Sequence, residues 1–136
     1  SKINFEINQI SQLLSNELNI NEKYIMSNSL AISHNTKSNY IHTTFKESVN
    51  SKYIEQFLLR ESWSQFDLTH SNINSKPPDR KNLNHPIPDY LVYIQYNRTD
   101  EIPWIIRELD NNQDNKFEKI YQSDLSKTIA FKINIP

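Results

Sequence analysis

The chain has 136 residues, with 15 Lys plus Arg against 16 Asp plus Glu, and contains neither Gly nor Cys. That length suits one domain spanning 1–136 with its own core. The near-neutral charge argues against a general nucleic-acid coat, which needs surplus cations to displace counterions from phosphates. No stretch approaches the run of about 20 apolar residues that a membrane-crossing helix requires.

The missing residue types exclude further chemistries. Without Gly there is no Walker loop, dinucleotide fingerprint or G-x-S-x-G elbow. Without Cys there is no thiolate zinc site, iron–sulfur cluster, disulfide or cysteine nucleophile. Asn and Ile each occur 18 times while Ala and Val occur twice each, the usage of an AT-rich genome. Positive-φ turns must then fall to Asn or Asp. No basic segment followed by an apolar core opens the chain, so a cytoplasmic location is expected.

In chain order, residues 4–18 place Ile7, Ile10, Leu13, Leu14 and Leu18 at the spacing of one helical face. Lys23–Ser33 and Tyr40–Phe45 are rich in Tyr, Ile, Thr and Phe around a polar turn, which predicts a β-hairpin. Residues 51–66 return to helical spacing through Tyr53, Ile54, Phe57, Leu58 and Trp63. A polar loop at 71–88 follows and holds four of the six prolines, a length unusual inside a compact domain. Asp89–Asn97 reads as a central strand buried on both faces. Ile102–Leu109 is predicted to be its neighbour, with Pro103 at the strand entry, and Lys116–Gln122 a short helix. Ile129, Phe131, Ile133 and Ile135 alternate with polar or small residues, the cleanest strand pattern in the chain. The sum is an α+β, two-layer domain: a mostly antiparallel sheet of about five strands with two main helices packed on one face.

Tyr90, Tyr93 and Tyr96 would suit a base-stacking platform, but such platforms are flanked by dense cations and this strand offers Arg98 alone. Asp110 and Asp114 begin an oxygen-rich loop that fails as an EF-hand, since its sixth position is Asn115 and its twelfth Tyr121. Neither a metal site nor a cofactor is expected. Mixed charge groups with tryptophans point instead to complementarity with one protein partner. The chain is therefore expected to be a small intracellular protein-binding domain rather than an enzyme. An immunity or inhibitor protein that blocks a cognate basic toxin or enzyme fits, with Asp100, Glu101, Trp104, Glu108 and Asp110 as partner-binding residues and no membrane contact.

The alternative is a metal-independent RNA-cleaving toxin. His42 and His70 would serve as general acid and base, Arg60 would hold the phosphate and Glu61 would be a substitute base. Nucleic acid is a partner under that reading alone.

Overall fold

The structure is a computed structural model that describes residues 1–45, 87–111 and 116–134. Its elements are α1 (Lys2–Ser15), β1 (Tyr24–Ser27), α2 (Ala31–Thr36), β2 (Asn39–His42), β3 (Tyr90–Tyr93), α3 (Trp104–Asn111), β4 (Phe117–Gln122) and β5 (Ile129–Ile133). The architecture is α+β, with one five-stranded sheet in the order β2-β1-β3-β5-β4. The sheet is mixed: β1 runs parallel to β2 and to β3, while β5 is antiparallel to β3 and to β4. The expected helix at 51–66 and most of the loop at 71–88 lie outside the described residues.

Strand parity sorts the core into two clusters. Ile25, Tyr90, Val92 and Ala130 face Ile7, Ile10 and Leu14 of α1 and Ile32 of α2. Met26, Leu91, Tyr93, Ile129, Phe131 and Ile133 face Ile105, Ile106 and Leu109 of α3. Because successive strand residues point to opposite faces, the apolar run of β3 feeds both clusters, and all four of its residues are buried. The helical layer predicted from the N-terminal spacing is α1, with α2 beside it. The cover that α3 gives the other face is an addition.

Three local predictions differ from the structure. Lys23–Phe45 is no hairpin: β1 and β2 run parallel, joined by α2. Lys37 closes α2 in the left-handed conformation at φ 58°, which a glycine would otherwise supply. Residues 102–109 form no strand. Pro103 opens a helix there, its carbonyl accepting from the amides of Ile106 at 3.0 Å and Arg107 at 3.1 Å. Lys116–Gln122 is no helix, because Phe117–Gln122 pairs with β5. A bulge between Lys119 and Tyr121 breaks the alternation in that strand. Lys119 then turns toward α3, where it pairs with Asp110 at 2.9 Å. Tyr121 turns toward α1, where its hydroxyl donates to Gln9 at 2.6 Å.

Positive-φ positions were expected to fall to Asn or Asp. Asn19 obeys at φ 55°, but Lys37 and Phe45, both at φ 58°, do not. Among the described residues, no helix is long and apolar enough to cross a membrane.

Candidate functional site

The three parallel strands finish at one end of the sheet, with Ser27, His42 and Tyr93, and β5 begins there with Ile129 opposite Tyr93. The loops after β1 and β3 therefore gather beside the β4–β5 turn. Where neighbouring connections leave a parallel sheet in opposite directions, the strand ends open a crevice that proteins commonly use for ligands. Here the side chain of Asn28 bridges that crevice. Its Nδ2 donates to the Ile94 carbonyl at 2.8 Å, and its Oδ1 accepts from the Ile94 amide at 2.9 Å. One amide side chain so continues the β1–β3 pairing past the strand ends.

A shallow open cleft of about 590 Å³ lies beside it, between the segment 95–102 and the turn 124–127. Buried Gln95 braces both walls. Its Oε1 accepts from the Lys127 amide at 2.9 Å, its Nε2 donates to the Asp100 carbonyl at 3.1 Å, and its own amide donates to Thr128 Oγ1 at 2.9 Å. Ser126 Oγ accepts from the Thr128 amide at 3.0 Å and donates to the carboxylate of Glu6 at 2.5 Å. Glu6 sits on α1 and is only 1% exposed, so the turn is tied to the first helix. On the other wall, Asp100 closes a turn by accepting from the Asn97 amide at 3.3 Å.

The cleft is lined by five exposed charged side chains of both signs: Arg98, Asp100, Glu101, Asp124 and Lys127. None of them is in an ion pair among the described residues, where the recorded pair is Lys119–Asp110. Leu30, Tyr96 and Leu125 stand exposed at the same end of the sheet, at 60%, 48% and 41%.

Of the residues singled out from the sequence, Asp100 and Glu101 share this cleft. Trp104 is half-buried against the α3 core cluster. Glu108 and Asp110 lie on α3, and Asp110 is already paired with Lys119. The aromatic platform does not form: Tyr90 and Tyr93 are buried on opposite faces, and Tyr96 alone of the three is exposed. Asp124, Ser126 and Lys127 carried no sequence signal, since they fall between predicted elements, and Gln95 was hidden inside the predicted strand 89–97; the four meet only through the β3–β5 pairing.

Within the alternative set, His42 is described while Arg60, Glu61 and His70 lie outside the described residues. His42 ends β2, half-exposed, with Nδ1 2.7 Å from the Tyr40 hydroxyl. That hydroxyl is also 3.1 Å from the Ser27 carbonyl. Burial, reinforced by nearby Tyr96, pushes the Tyr40 phenol up to about 12. Tyr40 thus stays a neutral hydrogen-bonding partner that orients the ring and leaves Nε2 free of it. His34 is exposed on α2. Among the described residues, no group of three His, Cys, Asp or Glu side chains could hold a metal ion.

No protein-family model, curated protein or solved structure matches the chain.

Proposed function

We propose that the chain is a small protein-binding domain whose recognition surface is the loop cluster at the carboxyl end of its parallel strands. The observation that carries this reading is the set of charges around the 95–102 and 124–127 cleft, left without ion-pair partners within the described residues. Opposite charges held close yet unpaired on braced loops suit pairing across an interface. There, a rim of charge sets register and steers encounter, while apolar side chains such as Tyr96 and Leu125 supply buried area. The open shape of the cleft favours a protein surface over a small molecule, which is normally enclosed. An inhibitor or immunity protein that covers a partner's active surface fits such a face, with Asp100 and Glu101 meeting cations of that partner.

The test is capture from the source cell with the wild-type chain and with a Glu101→Arg/Asp124→Arg variant. A protein retained at one-to-one stoichiometry by the first and released by the second supports the reading. Equal retention by both overturns it.

The oriented imidazole of His42 keeps the ribonuclease reading as the second one. It requires tRNA cleavage in EDTA that is lost in His42→Ala.

A further inference from the structure

Tyr40 and His42 lie two apart on β2, so their side chains leave the same face of the sheet, opposite to Ile41 in the α3 cluster. Ser27, the last residue of β1, is the register partner of His42. The three therefore meet where β1 and β2 both finish. The Tyr40 hydroxyl touches two groups there, the Ser27 carbonyl at 3.1 Å and His42 Nδ1 at 2.7 Å. A phenol has one proton to give, and a carbonyl oxygen can only accept. If the hydroxyl donated to Nδ1, its oxygen would face the Ser27 oxygen with no proton between them. If it donates to Ser27, it accepts from Nδ1–H, and both contacts become hydrogen bonds. The carbonyl has room for this, because the Thr43 amide at 3.0 Å uses one of its two lone pairs. With its phenol pushed up to about 12 by burial and by Tyr96, Tyr40 keeps that proton throughout the neutral range.

We propose that the relay from His42 Nδ1–H through the Tyr40 hydroxyl to the Ser27 carbonyl locks the imidazole in one tautomer, and that Nε2 is thereby a fixed proton acceptor for a hydroxyl group at the carboxyl ends of β1 and β2. Tyr40 is its positioning residue. Among the described residues no other hydrogen bond engages the ring, which is half-exposed. When a hydroxyl approaches Nε2, its proton passes to that nitrogen and the O–H electron pair stays on oxygen. The imidazolium so formed still donates from Nδ1 to Tyr40, and no link of the relay has to reverse. The opposite tautomer would present a donor at Nε2 and could take no proton there. This inference deepens the ribonuclease reading and rests on it for the identity of the hydroxyl: His42 is the base that takes the ribose 2′-proton, not the acid.

Two-bond proton–nitrogen correlation spectra of the full 15N-labelled chain test the tautomer without RNA. At about pH 9 an ordinary imidazole, with a pKa of about 6.5, is neutral. The His42 signals, identified by their loss in His42→Gln, then show Nδ1 in the protonated, pyrrole-type range and Nε2 in the unprotonated, pyridine-type range. Acidification carries Nε2 into the protonated range and leaves Nδ1 almost unmoved. Tyr40→Phe keeps the ring and removes the relay, so the two nitrogens shift toward each other as the tautomers mix. A wild-type spectrum with the proton on Nε2 overturns the proposal, and so does a folded Tyr40→Phe chain whose His42 signals match the wild type. The wild-type spectra decide the matter alone if Tyr40→Phe does not fold. In tRNA cleavage, Tyr40→Phe lowers kcat by the factor by which the Nδ1–H form is depleted in those spectra, with KM unchanged. Intact tRNA alongside a protonated Nδ1 counts against the ribonuclease reading and leaves the tautomer standing.

Discussion

Asn28 offers a direct measure of how the crevice between β1 and β3 is closed. Its side chain satisfies both the amide and the carbonyl of Ile94, a residue 1% exposed. Replacing it with Ala removes both bonds and leaves two backbone groups without their partner. Each such group costs about 1–3 kcal/mol when kept from water. Asn28 itself is half-exposed, so water reaches part of the gap and the lower end applies, about 2–3 kcal/mol in total. Against a domain stability of about 5–15 kcal/mol this is a large fraction. With a urea slope near 2 kcal/mol per molar, the unfolding midpoint falls by about 1–1.5 M. Asn28→Asp keeps the acceptor for the Ile94 amide but sets a carboxylate against the Ile94 carbonyl. Near neutral pH it is at least as damaging as Ala, and its deficit relative to the wild type narrows on acidification, when the protonated carboxyl can donate. Urea unfolding followed by tryptophan fluorescence at several pH values reads all three chains. An Asn28→Ala midpoint within about 0.3 M of the wild type would refute the reasoning, because the crevice would then not depend on that bridge.

Two further outcomes follow from the core and from the tyrosines. Ala130 is fully buried on the sheet face that α1 covers. Ala130→Leu should destabilise by about 1–3 kcal/mol through overpacking, and a urea midpoint equal to the wild type would contradict that. Burial first, with lesser contributions from Tyr96 at Tyr40 and from Glu17 and Asp89 at Tyr90, raises both phenols from 10.0 to about 12. A phenol raised on folding favours the folded state fully below the unfolded value, and that contribution is lost as pH climbs through the folded one. Stability should therefore fall between pH 10 and about 12, less steeply in Tyr40→Phe. An ultraviolet difference titration in which every tyrosine ionises near pH 10 with the fold intact would count against this.

What could be read from the residues depended on how cleanly each element kept its period. Ile7, Ile10 and Leu14 mark α1 because one helix face alone is buried, and β5 shows its alternation because Ala130 and Lys132 separate its large apolar residues. β3 is legible as central because both of its faces are covered. The segment after Pro103 misled because Ile105 and Ile106 are adjacent and apolar, as in a strand. Their spacing with Ile102 and Leu109 is nevertheless that of a helix, and Pro at a helix start was the deciding signal. β4 was hidden by its bulge, which places Ile120 and Tyr121 together against the α1 cluster. The cleft was half legible. Asp100 and Glu101 stand out as exposed loop charges, but Asp124 and Lys127 join them only through antiparallel pairing between β3 and β5.

The position of β5 has a consequence for how the polypeptide matures. This strand is inserted between β3 and β4, and its side chains belong to both core clusters. During synthesis, neither layer can be completed until residues 129–133 have cleared the ribosome tunnel. Until then a nascent chain holds β3 against β1 on one side only and displays its other edge unpaired, the state in which a chaperone has most to grip.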